Sequence, residues 1–432
     1  MSYGIVLGYT HSDHGPSVLY GFACIFVIGF LWGAIGGAGT AMPAFLNRDR
    51  LTEFFPPICA VFAAWALQDL AIYVGLLSES KLDWYDTDWV AALLAIVAIL
   101  ILSLIRRTFC RASSLILQMA VGWWVAFLVL VVWLGLRMTP PRSDNWAGCV
   151  GMMIAMLIYF SRNGLAPVAF ASVLAGVVAG FGFSTANMIK LAGIATGLAA
   201  NWHSVMEQTF GFISGVGVAL AMGRLSTRAR PLNEEPYMRG WTEPFAVGFT
   251  LLLITFVNIR KNVWAVWLRN EVVPESMYGI SAAGWFNMAY LAMGIVVILL
   301  LVRHHRSPLS VIPATWLGRG QSFYLLFLWW IVVGNLSRYL PFQPGRLVTE
   351  GVIHLNACVC TALVLLGPKE NQSVPEYEVP DYSPWIKAVL LKGLAVFAVS
   401  VAIQTAVVLK LFDAPTGELH IRFGPNATHL NP

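Results

Sequence analysis

The sequence predicts an all-α integral membrane protein with about twelve transmembrane helices. Of its 432 residues, 58% are hydrophobic and only 11% are charged, and long apolar runs recur along the whole chain. A soluble core cannot hide that much apolar surface, so part of the solvent of this protein must be hydrocarbon. We therefore expect one polytopic membrane domain over residues 1–432, embedded in the lipid bilayer of a plasma or inner membrane.

Each helix is predicted from an apolar run of about 20 residues, the length that crosses the hydrocarbon layer. The predicted spans are 17–37, 55–77, 88–105, 114–136, 147–161, 166–186, 204–223, 243–259, 281–302, 322–339, 349–367 and 385–411. The fifth span is the shortest. The first run lacks the basic start and cleavage site of a signal peptide, so it is taken as the first helix.

The distribution of Lys and Arg between alternate connections predicts the orientation. One set of connections holds more of these residues, in compact clusters such as 106–111 and 303–306. We place that set in the cytoplasm, and both termini then lie on the extracytoplasmic side.

A weak internal sequence repeat favours two halves of six spans each, over 17–186 and 204–411. Gly29-Phe30-x-x-Gly33 opens the first half, and Gly211-Phe212-x-x-Gly215 opens the second. Such halves are typical of transporters built from repeats. The alternative is that both motifs are ordinary small-residue packing motifs of membrane helices.

Asp69 is the strongest functional candidate inside a predicted span, because an ionisable group in hydrocarbon is costly and usually functional. Its position near the middle of span two suits coupling to a proton or cation. Alternatively, its carboxylate pairs with an Arg or Lys of a neighbouring helix during assembly.

A denser group of polar residues falls at the predicted extracytoplasmic ends of spans six, seven, eight, ten and eleven. The candidate ligand-binding residues there are Asn187, Lys190, Trp202, Asn258, Arg260, Lys261, Trp264, Arg338, Arg346 and Asn356. The cations suit a carboxylate or phosphate, and the aromatic rings suit a sugar face. Alternatively, the cations extend to lipid headgroups and the Trp rings belong to the interfacial belt.

Two acid–imidazole pairs lie within this group, His203 with Glu207 and Glu350 with His354. Residues four apart share one helix face, so each pair can tune its own proton affinity. Alternatively, each Glu forms a salt bridge with Arg260, Arg338 or Arg346. The His-Glu-x-x-His pattern of helical zinc sites is absent from the sequence, and we predict neither a metal nor a cofactor.

Two functions remain from these observations, whereas the modest net charge of +5 with scattered Arg argues against nucleic-acid binding. A secondary transporter of a hydrophilic, sugar-like or anionic solute would use Asp69 or Glu207 as its coupling acid. An intramembrane hydrolase of the glycosidase type would use Glu207, Glu350, His203 and His354 as catalytic groups. Twelve spans match the size of major facilitator transporters, but the Gly-x-x-x-Asp-x-x-Gly-Arg signature of that family is missing.

Overall fold

The computed structural model describes ten helices and two small antiparallel strand pairs. The described residues are 11–12, 18–45, 48–78, 82, 84, 87, 89–137, 145–198, 202–226, 275–306, 325, 328–329, 332, 346–366 and 381–411. They fall into two compact units, Met1–Leu232 with Val374–Pro432, and Asn233–Ser373. Each unit is described by itself.

The described residues of the first unit form eight helices, built from the long apolar runs of the sequence. They are α1 (Val18–Phe45), α2 (Arg48–Tyr73), α3 (Trp89–Arg106), α4 (Arg111–Ala126), α5 (Asn145–Arg162), α6 (Ala166–Ala195), α7 (Trp202–Ser226) and, as numbered along the whole chain, α10 (Ser383–Leu411). A π-helical segment, Phe127–Trp133, continues α4. The strands β1 (His11–Ser12) and β2 (Leu136–Arg137) pair antiparallel, so the residues before α1 lie beside those after α4.

Helix α6 is the centre of this unit. It packs against α1, α7, α10 and α5, and most of its residues are buried. Helices α2, α3 and α4 pack together at the periphery, and few residues of α2 and α3 are buried. The exposed side chains of these outer helices are largely Leu, Ile, Val and Phe, the surface that a bilayer would cover.

Small residues bring α1 and α6 together at close range. Gly29, Gly33 and Gly37 recur every four residues on one face of α1, and that face meets Ala171, Ala175 and Ala179 of α6. A side chain at Gly33 or Gly37 would collide with the backbone of α6. This is the small-residue packing that lets membrane helices approach without a hydrophobic driving force.

The second unit contains the hairpin of β3 (Ser276–Met277) and β4 (Ile280–Ser281), α8 (Ala282–Arg306) and α9 (Arg346–Leu366). Tyr278 and Gly279 form the turn with positive φ angles of 52° and 77°, as a two-residue hairpin of the I′ type requires. The hairpin packs against α8.

Seven of the described helices are long and apolar enough to cross a membrane, which fits a multi-pass membrane protein. These segments are Leu19–Met42, Glu53–Tyr73, Trp89–Arg106, Arg111–Trp133, Ala166–Ala195, Trp202–Leu225 and Ser383–Val408. The predicted span 243–259 and most of 322–339 lie outside the described residues. The count of twelve, the division into halves and the orientation of the termini therefore stay predictions.

Candidate functional site

The end of α6 lies further along the chain than the apolar pattern predicts. The predicted span stopped at residue 186 because Asn187 and Lys190 interrupt the apolar run, whereas the helix continues to Ala195. Both polar side chains are therefore inside a helix, and they are only 1% and 2% exposed. They lie in the interior of the unit rather than in an open loop.

Lys190, His203 and Glu207 form a connected chain of ionisable groups. The Lys190 Nζ lies 3.2 Å from His203 Nδ1, and His203 Nε2 lies 2.9 Å from Glu207 Oε1. The two links join the end of α6 to the first two turns of α7. His203 is 13% exposed and Glu207 is 59% exposed, so the chain runs from the protein interior to its surface.

The buried end of this chain has apolar surroundings. Phe22 of α1, Leu191 of α6 and Met206 of α7 belong to one buried apolar cluster at this end of the unit. Lys190 also lies inside the apolar segment Ala166–Ala195, which is long enough to cross a membrane. A charged group buried in such a segment needs a partner, and the His203 ring is positioned to provide one.

The distances allow a proton to be held at either end of the chain. When Lys190 is an ammonium, it donates to Nδ1 of a neutral His203, whose Nε2–H then donates to the Glu207 carboxylate. Moving the proton from Nζ to Nδ1, and a second proton from Nε2 to Oε1, leaves a neutral amine and a neutral carboxylic acid. Both arrangements have the same total charge, but only the first places a positive charge on the buried Lys190, with the compensating carboxylate at the surface.

Asn187 lies one turn before Lys190 on α6. Its Nδ2 is buried and has no hydrogen-bond partner among the described residues. An unpaired buried donor costs about 1–3 kcal/mol, so the site contains one donor that a bound acceptor would satisfy.

Trp202 packs against the end of α6 and hydrogen-bonds to the turn that follows it. Its indole lies directly against Gly193, where any side chain would collide with the ring, and its Nε1 donates to the Leu198 carbonyl at 3.1 Å. These contacts fix the turn between α6 and α7, and thereby the register of His203 against Lys190. Its predicted part in ligand binding stays a prediction.

The remaining candidates are not brought to this site by the described residues. Asp69 lies on α2 with an exposed side chain, and no ion pair to it is formed within the described chain. In the second unit, His354 is half-buried on α9, and Asn356 accepts a weak hydrogen bond from Cys360 Sγ at 3.8 Å. Arg346 and Glu350 lie in α9, but their side chains are outside the described residues, as are Asn258, Arg260, Lys261, Trp264 and Arg338 altogether.

Sequence reasoning paired His203 with Glu207 correctly as neighbours on one helix face, because that pairing needs only helical periodicity. It did not link Lys190 to His203, since that contact depends on how α6 packs against α7. The signal available in the sequence was the short separation of 13 residues between the two across a predicted turn. Whether these residues bind a solute or catalyse a reaction stays a prediction.

Comparison with protein-family models, with curated proteins and with solved structures finds no match for this chain.

Proposed function

We propose that this protein is a secondary transporter that couples movement of a hydrophilic, anionic solute to proton transfer through Lys190, His203 and Glu207. The observation that carries the proposal is the chain of contacts from the buried Lys190 Nζ to the exposed Glu207 carboxylate. Ionisable chains at the edge of a membrane interior are typical of proton-coupled pumps and transporters.

Coupling follows from what a solute anion would do to the buried amine. An anion beside Lys190 favours the ammonium form, which draws a proton along His203 from Glu207. Glu207 then regains a proton from the water on the side where the anion enters. Release of the anion on the other side favours the neutral amine, whose proton passes along His203 and leaves through Glu207 to the water there. Glu207 therefore serves as the coupling acid, the role that the sequence assigned to either Asp69 or Glu207.

The preference for an anion rests on the donors in the interior. Lys190 supplies an ammonium, and Asn187 supplies the unpaired Nδ2–H on the same part of α6. A carboxylate or phosphate oxygen would accept from both, and hydrogen bonds to charged groups are the stronger ones. A neutral sugar could also accept from Asn187, but a carboxylate or phosphate gains the stronger, charge-assisted hydrogen bond from the amine.

Proton flux in vesicles tests this proposal. The full chain is reconstituted in liposomes with a trapped pH dye, and gradients of glucuronate, phosphate or glucose are imposed in turn. We expect glucuronate or phosphate, but not glucose, to change the internal pH. Lys190→Met and Glu207→Gln should slow that change about 100-fold, the usual contribution of a positioned proton-transfer group. Lys392→Met and Glu275→Gln are matched controls, because both side chains are exposed.

The hydrolase hypothesis predicts a different result in the same preparations. It pairs Glu207 with Glu350 as acid and base or nucleophile, which requires the two carboxyl groups to stand about 5–9.5 Å apart. Turnover of chromogenic glycosides that Glu207→Gln abolishes, with no solute-dependent pH change, would refute the transport proposal. An anion-driven pH change that Lys190→Met leaves intact would refute the assigned coupling residues.

A further inference from the structure

A half-open groove of about 480 Å³ lies between α6 and α10. The two helices run parallel, because the Phe170 and Trp385 rings meet edge to face with centroids 5.6 Å apart and Val177 lies against Gly393 further along both helices. Beyond that contact the groove extends along both helices to Ser184 and Gln404. Its walls are mostly apolar side chains such as Phe181 and Val399.

Two polar atoms at one end of this groove are buried and unsatisfied. Gln404 donates from Nε2 to the Ser400 carbonyl at 3.2 Å, which fixes its amide and leaves Oε1 without a partner among the described residues. Ser184 Oγ is also unpartnered there. Both residues line the groove, and both are 2% exposed.

The Ser184 hydroxyl lacks a hydrogen bond that other helical hydroxyls of this protein make. Thr40, Ser103, Ser161 and Thr405 each donate to the carbonyl of the preceding turn at 2.8 Å. That bond is the usual way for a helix to satisfy a hydroxyl in an apolar environment. Ser184 makes no such bond among the described residues, so no intrahelical partner competes with a molecule in the groove for its hydroxyl.

We infer that this groove binds a membrane-dissolved alcohol, a molecule with an elongated apolar body and one hydroxyl group. The hydroxyl donates to Gln404 Oε1 and accepts from Ser184 Oγ, while the body lies along the apolar walls towards Val177. The unpaired acceptor Gln404 Oε1 favours an alcohol over a plain hydrocarbon, because a hydrocarbon chain has no hydrogen-bond donor for it.

The position of the two polar atoms within their apolar helices disfavours a charged headgroup as the occupant. At 1.5 Å per residue, Ser184 and Gln404 lie about 5 Å and 10 Å from the midpoints of their helices. A phospholipid could reach them only by drawing its headgroup into the hydrocarbon layer, which is unfavourable for a charged group. This inference is independent of the proposed transport, because none of the groove residues belongs to the Lys190 chain.

Photolabelling of the full chain in lipid nanodiscs tests the inference. The probes are a diazirine-bearing hexadecanol, the matching diazirine-bearing hexadecane, and a phosphatidylcholine with the same diazirine in its acyl chain. We expect the alcohol to label groove residues of α6 and α10 about fivefold more than the alkane or the phospholipid, the effect of one hydrogen bond. Gln404→Leu and Ser184→Ala should each reduce alcohol labelling towards the level of the alkane.

Matched controls separate binding from folding. Gln118→Leu and Ser103→Ala make the same chemical changes on α4 and α3, away from the groove, and should leave labelling unchanged. Ser184→Ala removes only one oxygen atom, so it keeps the test valid if Gln404→Leu fails to fold. Equal labelling by alcohol and alkane, stronger labelling by the phospholipid, or alcohol labelling that Ser184→Ala leaves unchanged would each overturn the inference.

Discussion

Replacing Gly29 by Ala should destabilise the contact between α1 and α6. A Cβ at this position would lie 2.6 Å from Phe183 Cβ and 2.7 Å from the Ala179 carbonyl oxygen. Neither atom can rotate away, because one is a backbone atom and the other is attached directly to the backbone. The oxygen contact falls short of an ordinary 3.4 Å contact by about 0.7 Å, so the two helices must move apart.

Gly39→Ala is the matched control on the same helix, since a Cβ there meets nothing within 4 Å. Both changes gain the same helix propensity, up to about 1 kcal/mol, so the difference between the variants isolates the packing effect. Overpacking costs about 1–3 kcal/mol, so Gly29→Ala should be less stable than Gly39→Ala by that amount.

Thermal unfolding in detergent measures this difference. The other five cysteines, two of which are exposed, are first replaced by serine. The buried Cys24 thiol on α1 then reports, by its reaction with a fluorogenic maleimide, the separation of α1 from its neighbours. Gly29→Ala should lower the labelling midpoint by several degrees relative to Gly39→Ala at the same scan rate. Equal midpoints for the two variants would show that the close approach of α1 and α6 is not a source of stability.

Three further changes test other parts of the structure. Asp69→Asn should leave anion-driven proton flux within about twofold of the unmodified protein, because coupling is assigned to Glu207; loss of flux would move the coupling acid to α2. Asp381 accepts from the Ser383 N–H at 2.9 Å, and this bond holds the pKa of its carboxyl below the usual value. Its stabilisation of the start of α10 is complete above the unfolded pKa of about 3.9 and is lost as pH falls through the lower native pKa. Hydrogen exchange at the first turn of α10 should therefore accelerate in that acid range, and Asp381→Asn should remove this pH dependence; an unchanged pH profile would contradict the reasoning. Gly211→Ala should stabilise the protein by up to about 1 kcal/mol, as Gly39→Ala should, because a Cβ there meets nothing within 4 Å and the helix propensity rises; a loss like that of Gly29→Ala would indicate a packing role for the second motif.

The sequence predicted the helices of the described chain well where a charged residue ends an apolar run. Helices α3 and α5 end at Arg106 and Arg162, within one residue of the predicted spans, because hydrocarbon length and charge decide these ends. Hydropathy failed at the end of α6, where a single Lys190 is satisfied inside the protein. Hydropathy cannot distinguish a lysine that lies outside the membrane from one that is buried beside a hydrogen-bond partner.

The glycine motifs show the same distinction between pattern and packing. Gly29 and Gly211 have identical sequence signatures, yet the first lies against α6 and the second has open space around it. Whether a small residue packs depends on which neighbouring helix reaches it, and the spacing within one helix contains no information about the neighbour. The shared Gly-Phe-x-x-Gly pattern of the two motifs is therefore weak support for repeated halves.

The burial of Asn187 and Lys190 on α6 is the strongest reason to assign function to these two residues rather than to the more numerous exposed cations. A Leu or Met at either position would fill similar volume in the apolar surroundings without a desolvation cost, and such replacements of buried polar groups are often neutral or stabilising. The exposed Arg residues have no such cost, so their presence needs no functional explanation. A buried amine held by an imidazole, beside an amide with an unused donor, is a costly arrangement in the most buried helix of the unit. Loss of function without loss of stability in Lys190→Met is therefore the pattern that distinguishes a functional lysine from a structural one.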